Sequence, residues 1–258
     1  MSNPNIVALK TIARREVMRI LRIWGQTLVP PAITMTLYFL IFGKLIGSRI
    51  GNMGGIDYMD FIVPGLVMMA VIQNAYGNIS SSFFGAKFGR HVEELLVSPM
   101  PNWVILLGYV AGGVLRGLMV GIIVLAIAMC FTHVRVPHPF VMISTVLLGA
   151  TIFSLAGFVN AVYAKKFDDI AIIPTFILTP LTYLGGVFYS VRVLPEWAQN
   201  ATHANPIFYM VNAFRYGLLG DQASDLPLWT SFGVMFFFVL ALGWLGLRLL
   251  TKGVGLRS

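Results

Sequence analysis

Residues 61–86 read FIVPGLVMMAVIQNAYGNISSSFFGA and contain no aspartate, glutamate, lysine or arginine. A helix of about 20 apolar residues crosses the ~30 Å core of a bilayer, so this stretch is long enough to span a membrane. The whole chain has the same character: 57% of its 258 residues are hydrophobic, 11% are charged, and the mean hydropathy is +0.82. Ordinary soluble domains carry about 25% charged residues. The composition therefore excludes a water-soluble globule and predicts a membrane protein.

Six uncharged or nearly uncharged stretches follow one another along the chain. We predict an all-α membrane protein with a single domain, residues 1–258, and six transmembrane helices. The expected spans are approximately 26–46, 59–84, 102–131, 139–164, 170–190 and 226–249. A further uncharged stretch, 197–214, carries several amide side chains and is too polar to face lipid. Because non-helical backbone at membrane depth needs cover by protein or water, we expect residues 192–220 to form short re-entrant helices on the outer side.

Basic residues mark one side of this arrangement. The positive-inside rule assigns the more basic side to the cytoplasm, so both termini are expected there. The cytoplasmic set is Lys10, Arg14, Arg15, Arg19, Arg22, Lys87, Arg90, Lys165, Lys166, Arg248, Lys252 and Arg257, against Lys44, Arg49, Arg135, Arg192 and Arg215 outside. The net charge of +8 fits such basic cytoplasmic segments and does not require nucleic-acid binding.

The N-terminal segment, residues 1–25, is basic and amphipathic. Its apolar side chains from Ile6 to Trp24 share one broad face at helical spacing, and its arginines lie on the other. Helices of this kind lie in the headgroup plane with their cations near anionic lipids. We expect an interface helix in which four arginines face lipid phosphates. They are Arg14, Arg15, Arg19 and Arg22.

The loop 86–101 connects two spans on the expected cytoplasmic side. Its middle favours a short helix that Ser98 and Pro99 would end. Its two faces are formed by apolar Leu95 and Leu96 and by charged Arg90, Glu93 and Glu94. An amphipathic helix of this type is suited to docking in the groove of a partner, although a plain interfacial connector has a similar composition.

The sequence carries no pattern of an enzyme. It has neither the glycine-rich phosphate loop of ATPases nor the serine elbow of hydrolases. Its single cysteine, Cys130, and four histidines are too few and too scattered for a metal cluster. The paired acids at 93–94 and 168–169 lie on loops expected to be solvated. We therefore expect no catalytic residue, cofactor or metal on this chain.

Arg116 is a charged residue in the middle of an expected span. Proton-driven carriers more typically place Asp or Glu there, so the sequence favours an energy source outside this chain. Arg116 has three possible roles at this stage: it contacts substrate, it snorkels inward, or it pairs with a polar group of a neighbouring span. The candidates for that pairing are Gln73, Asn74, Asn78 and Asn160.

The same span carries glycines at four-residue spacing, which line helix faces and allow another backbone to approach closely. One set is Gly108 and Gly112, and the other is Gly113, Gly117 and Gly121. The partner of these faces is either a segment of the same chain or a second subunit.

Two sequence elements carry a family resemblance. Residues 93–99, EELLVSP, lie in the expected cytoplasmic loop. The outer segment further along the chain contains Gly-Gly-Val-Phe at 185–188, Leu-Pro at 194–195, Asn-Pro at 205–206 and Arg-Tyr at 215–216. In this order, and with six spans, the sequence resembles the ABC-2 type transporter permeases, in particular the small bacterial six-span permeases that include lipooligosaccharide and drug exporters.

The resemblance implies a permease subunit of an ATP-binding cassette transporter in the bacterial inner membrane. It would export a lipid-linked or amphipathic substrate as a permease homodimer, with two copies of a separate ATPase subunit that hold ATP and magnesium. The helix in 86–101 would couple the permease to the ATPase, with a second contact at Lys166, Asp168 and Asp169. The pathway and outer gate would include Arg116, Gly185, Gly186, Phe188, Tyr189, Asn205, Pro206 and Arg215.

Other readings remain open from the residues alone. An ion-gradient-driven carrier or channel would need no ATPase partner. A membrane-embedded lipid enzyme would need a catalytic constellation, and a regulatory subunit would bind an ATPase without transporting.

Overall fold

The computed structural model describes residues 3–53, 55–132, 136–253 and 255. Arg135 and Arg257, which are named above, and His133, one of the four histidines, lie outside the described residues.

Within the described residues, five helices are long and apolar enough to cross a membrane. The first runs over Trp24–Ile50 as α2 (Trp24–Tyr38), a π-helical segment (Phe39–Ile46) and α3 (Gly47–Ile50). The other four are α4 (Tyr58–Phe88), α6 (Asn102–Ala128), α7 (Pro139–Tyr163) and α12 (Leu228–Lys252). Their ends lie within about one helical turn of the expected spans.

Shorter helices fill the rest of the described chain. They are α1 (Pro4–Arg22), α5 (His91–Val97), α8 (Asp169–Ile173), α9 (Thr179–Tyr183), α10 (Glu196–His203) and α11 (Pro206–Leu219). A π-helical segment, Pro174–Leu178, joins α8 to α9, so that Asp169–Tyr183 is one apolar helical stretch.

The fifth expected span is shorter than the sequence suggests. We expected a helix over 170–190, but the helical stretch ends at Tyr183 and a turn with Gly186 at φ +74° follows. At 1.5 Å per residue, the helical stretch is about 23 Å long, less than the ~30 Å of a bilayer core.

A small antiparallel ribbon interrupts the helical architecture. Strand β1 (Asn52–Met53) pairs with β2 (Ile56–Asp57) in the loop before α4. The all-α expectation omitted this ribbon. Strand β2 ends at Asp57, directly before α4. The Asp57 carboxylate caps that helix by accepting a hydrogen bond of 2.8 Å from the N–H of Met59.

Helix α4 is the centre of the bundle. In its apolar segment 78% of the residues are buried, against 17% in the first long helix and 22% in α12. It packs against α6 and α7, which also contact each other. The first long helix and α12 are therefore peripheral and leave most of their apolar surface uncovered by this chain.

The glycine faces of α6 receive segments of the same chain. A Cβ at Gly108 would lie 2.6 Å from Ile12 of α1, and a Cβ at Gly112 would lie 2.7 Å from Glu16. A Cβ at Gly117 would meet Ala75 of α4 and Ala150 of α7. One set of glycines thus admits α1 and the other admits α4 and α7.

Candidate functional site

The helix α5 begins and ends where the sequence predicts. Arg90 precedes it in the left-handed region at φ +60°, a conformation that turns the chain sharply after α4. Ser98 adopts an extended conformation before Pro99 and ends it. Val92 is buried against the bundle and Leu95 and Leu96 are half-buried, whereas Val97 is 88% exposed. Of the predicted charged face, Arg90 and Glu94 are exposed and Glu93 is half-buried.

The loop between α7 and α8 adjoins the end of α4. Lys87 donates hydrogen bonds to the carbonyl oxygens of Val162 and Ala164, at 2.6 and 2.7 Å. The Phe167 ring packs against Phe84 and Phe88, with centroids 4.9 and 5.1 Å away. The two loops that the sequence assigned to ATPase coupling therefore lie side by side. We call residues 87–97 and 165–169 the loop face.

Asp169 gives the second loop its shape. Its carboxylate accepts hydrogen bonds from the N–H groups of Lys165 and Lys166, at 2.8 and 3.0 Å. Lys165, Lys166, Phe167 and Asp168 are exposed. The loop thus presents a fixed turn of exposed side chains.

The N-terminal helix α1 packs on protein through its charged residues. Glu16 is 1% exposed, and its carboxylate accepts hydrogen bonds from Ser82 at 2.7 and 2.8 Å and from Arg19 at 3.1 Å. Arg19 also donates to Asn78 Oδ1 at 2.8 Å, and Arg15 donates to the Tyr109 hydroxyl at 2.5 Å. We expected all four arginines to face lipid phosphates, but Arg15 and Arg19 also bind protein groups. A buried carboxylate needs cationic partners, and these two arginines supply them.

Sequence reasoning missed Glu16. The signal was present, because Ile12, Glu16 and Ile20 follow at four-residue spacing and share the buried side of α1. Arg14 and Arg22, by contrast, are exposed.

Arg116 contacts a polar group of α4, one of the roles left open above. Its Nη2 donates to Asn74 Oδ1 at 3.2 Å. Asn74, Asn78 and Ser82 follow at four-residue spacing on α4 and contact Arg116, Arg19 and Glu16 respectively. The C-terminal half of α4 therefore carries a polar stripe, Asn74, Asn78 and Ser82, whose partners come from α1 and α6.

At the other end of the bundle, Arg215 of α11 is fully buried. Its Nη2 donates to the carbonyl oxygen of Gly186 at 2.6 Å, and its guanidinium lies 4.0 Å from the centre of the Phe61 ring. Its Nη1 is 3.7 Å from the carboxylate of Asp225, which also binds Arg192 at 3.1 Å. The predicted residues Gly186 and Arg215 therefore lie together, and Asp225 completes the cluster.

Asn212, which sequence reasoning also missed, fixes the chain before α12. Its Oδ1 accepts hydrogen bonds from the N–H groups of Asp225 and Leu226, at 2.7 and 3.2 Å. Its amide nitrogen donates to the carbonyl oxygen of Leu226 and to Ser231, both at 3.1 Å. No sequence motif pointed to it, because its partners are backbone groups of a loop and the Ser231 side chain of α12.

The other predicted outer residues lie around this cluster. Asn205 caps α11 at Ile207 and donates to the carbonyl oxygen of Leu181 at 2.6 Å, with Pro206 as the first residue of the helix. Phe188 packs among Tyr38, Phe42 and Tyr183, and the Tyr58 hydroxyl donates to its carbonyl oxygen. Gly185 lies against Ile207, and the Tyr189 hydroxyl is buried.

The turn at 185–188 touches α4 at Gly65. A Cβ on Gly65 would lie 2.7 Å from both Cα and O of Val187, and backbone atoms cannot rotate away. We expect Gly65→Ala to destabilise the protein by about 1–3 kcal/mol. Thermal unfolding of the detergent-purified protein measures this. The control is Gly77→Ala in the same helix, where a Cβ meets nothing within 4 Å. Equal melting temperatures for the two variants would contradict the prediction.

The described residues contain no group of three His, Cys, Asp or Glu side chains that could hold a metal ion. Two groups of side chains could bind ligands. One consists of the arginines and amides of the polar stripe. The other consists of the polar groups around Arg215, which we call the outer cluster.

Comparison with known proteins gives the class. The family model of the ABC-2 type transporter matches residues 7–219, which include α1, the loop face, the polar stripe and α11. The chain belongs to the ABC-2 type transporter family. It is therefore a transmembrane permease subunit of such a transporter, and ATP hydrolysis resides in a separate subunit. Permeases of this family typically carry no cofactor.

Individual relatives agree with this class. The chain is 59% identical over 253 residues to the inner membrane transport permease YadH of Escherichia coli, covering 98% of both proteins. It is 26% identical to nodulation protein J of Sinorhizobium fredii, covering 84% of this chain and 83% of that protein. Together with its apolar helices, these relatives identify the chain as a multi-pass inner membrane protein.

Proposed function

We propose that this permease exports a lipid-linked or amphipathic substrate as a homodimer, with two copies of the ATPase subunit bound at the loop face. ATP and magnesium belong to that partner. In this arrangement both termini are cytoplasmic and Asp169–Tyr183 acts as a short fifth span of six. Helix α1 is the interface helix, and α10 and α11 are re-entrant helices on the outer side.

The observation that carries the proposal is the joining of the two loops. Lys87 binds the carbonyl oxygens of Val162 and Ala164, and the Phe167 ring packs against that of Phe88. Phe88, Val97 and Phe167 are 65%, 88% and 54% exposed. Soluble faces seldom expose such large apolar side chains beside charged ones unless a partner covers them. A partner that binds the loop face would therefore contact both loops at the same time.

Transport then follows from a shift between two states. ATP favours the closed pair of ATPase subunits, and it can drive the permease only by its different affinity for the open and closed pairs. The loop face moves with the ATPase and displaces α4, to which Lys87 belongs. The outer cluster around Arg215 would close the pathway when the loop face is at rest.

Reconstitution tests this function. In proteoliposomes, we expect ATP-dependent movement of at least one member of a panel of fluorescent lipid analogues, with and without a phosphate headgroup, only when the permease and its ATPase are both present. The readout is the fraction of the probe that dithionite can quench. An ATPase variant that binds but does not hydrolyse ATP is the control and should give no movement. Movement by the permease alone, driven by an ion gradient, would refute the proposal.

A further inference from the structure

A cavity of about 390 Å³ lies between α1 and the end of α4 that leads into α5. Its polar lining is mostly basic. The charged and polar side chains around it are Arg15, Arg19, Arg22, Glu16, Ser82 and His91. The cavity lies where the polar stripe of α4 reaches the loop face.

The cavity has an excess of positive charge. Glu16 is the acidic residue among its described lining residues, and Arg19 and Ser82 already bind both of its oxygens. Arg15 lies 3.6 Å from that carboxylate and donates to Tyr109. Within the described part of the chain, we find no hydrogen bond or ion pair of Arg22. The lining therefore holds three guanidinium groups and one carboxylate.

Buried donors without acceptors point to a missing partner. Arg19 Nε, Asn78 Nδ2 and Arg116 Nε are buried and have no hydrogen-bond partner, and Asn78 as a whole is 0% exposed. Buried polar groups are normally hydrogen-bonded, and an unpaired one is costly. All three unpaired atoms are donors, so each would be satisfied by an acceptor. Arg19 lines the cavity, whereas Asn78 of α4 and Arg116 of α6 are not among its lining residues.

The chemistry of these donors favours a phosphate. A phosphate group offers several acceptor oxygens, and guanidinium groups bind it with two parallel hydrogen bonds. The cavity is also lined by Met18 and Ile23, which are 52% and 36% exposed. Apolar side chains at the rim of a basic cavity suit an anionic group attached to an apolar tail.

We propose that this cavity binds the phosphate group of an amphipathic substrate before it is moved. The inference rests on the proposed function, because it names the substrate class that the permease would accept. Arg19 and Arg22 bind the phosphate oxygens. Asn78 of α4 and Arg116 of α6 lie beyond the lining of the cavity and carry further unpaired donors along the polar stripe.

Binding to the full-length permease, without ATPase or ATP, tests this inference. Three probes are titrated into detergent-purified protein: short-chain phosphatidic acid, phosphatidylcholine of equal chain length, and inorganic phosphate. We expect phosphatidic acid to bind at least tenfold more tightly than phosphatidylcholine. We expect Arg22→Gln to weaken its binding about tenfold, the loss of one charge-assisted hydrogen bond. Arg22 makes no described contact, so this variant should fold normally. Arg19→Lys, which keeps the charge but not the paired geometry, should also weaken binding.

The control is Arg14→Gln, which removes the same charge from an exposed position of α1 outside the cavity. Tight binding of phosphatidic acid with weak binding of inorganic phosphate supports a lipid-borne phosphate. Equal binding of both supports the phosphate site and assigns it to the free anion. Equal effects of Arg14→Gln and Arg22→Gln, or no preference for phosphatidic acid or phosphate over phosphatidylcholine, would overturn the proposal. If phosphate binding fails while ATP-dependent movement persists, only this inference is lost.

Discussion

Replacing Val97 with lysine is expected to weaken association with the ATPase about a hundredfold and to abolish most ATP-driven transport. Val97 is 88% exposed at the end of α5, and Phe88, also in the loop face, is 65% exposed. A lysine there would carry a charge into the groove that receives α5, and an unpaired charge in a dry interface costs several kcal/mol. A hundredfold loss corresponds to about 2.7 kcal/mol.

The substitution is chosen to leave α5 itself intact. Lysine near a helix C-terminus interacts favourably with the helix dipole, and Glu93 lies four residues before it. Exposed substitutions of this kind change stability by about 0.5 kcal/mol or less. The measurements are the affinity of the purified permease for its ATPase and the rate of ATP-dependent transport in proteoliposomes.

The matched control is Val193→Lys. Val193 is 68% exposed in a short 3₁₀ segment near the outer cluster, away from the loop face. It undergoes the same change of size and charge, and we expect unchanged association with the ATPase. Normal association and transport in Val97→Lys would refute the loop face as the docking surface.

The second large effect is expected at Arg215. We expect Arg215→Met to destabilise the permease by about 2–4 kcal/mol, because a buried charge-assisted hydrogen bond and a cation–π contact are lost and Asp225 keeps only its exposed partner Arg192. The carbonyl oxygen of Gly186 would lose its 2.6 Å hydrogen bond, and Phe61 would lose the guanidinium that lies 4.0 Å from its ring. Thermal unfolding in detergent and protein abundance in the membrane measure this effect.

Arg192→Met is the control, since Arg192 binds the same carboxylate of Asp225. Its side chain is 68% exposed, so its loss should cost about 1 kcal/mol or less. Arg215→Lys should fall between the two, because lysine keeps the charge without the planar guanidinium. If Arg215→Met melts no earlier than Arg192→Met, the buried cluster does not stabilise the outer segment as we infer.

The long helices could be predicted from sequence because their signal is local. A bilayer demands a minimum length of uncharged residues, and stretches such as 61–86 meet it without reference to the rest of the chain. The short helix α5 was also predictable, since Ser98 and Pro99 end it locally. The family resemblance came from such local elements as well.

The orientation of α1 could not be predicted in the same way. Periodicity separates two faces of a helix but does not say whether lipid or protein covers each one. Glu16 packs against Gly112 and binds Ser82, and only the fold brings these residues together. The sequence therefore did not reveal the contacts that Arg15 and Arg19 make with protein.

The outer cluster and the fifth span depended on tertiary contacts for the same reason. The helix after Asp169 ends at Tyr183, and Gly186 then turns the chain so that its carbonyl oxygen meets Arg215. Asn212 and Asp225 meet because a loop folds back on α11. Their partners are backbone atoms or distant side chains, which a sequence pattern does not reveal.

The hydrogen bonds of Lys87 make a mechanical linkage. This residue lies at the end of α4, the most enclosed helix, and its ammonium group holds the last turn of α7 through Val162 and Ala164. A displacement applied to either loop is therefore shared by two helices of the central bundle rather than absorbed by a flexible connector. The peripheral helices, with only 17% and 22% of their apolar segments buried, leave most of their apolar surface uncovered by this chain. The loop face is thus joined to the central helices α4 and α7 and not to the peripheral helices.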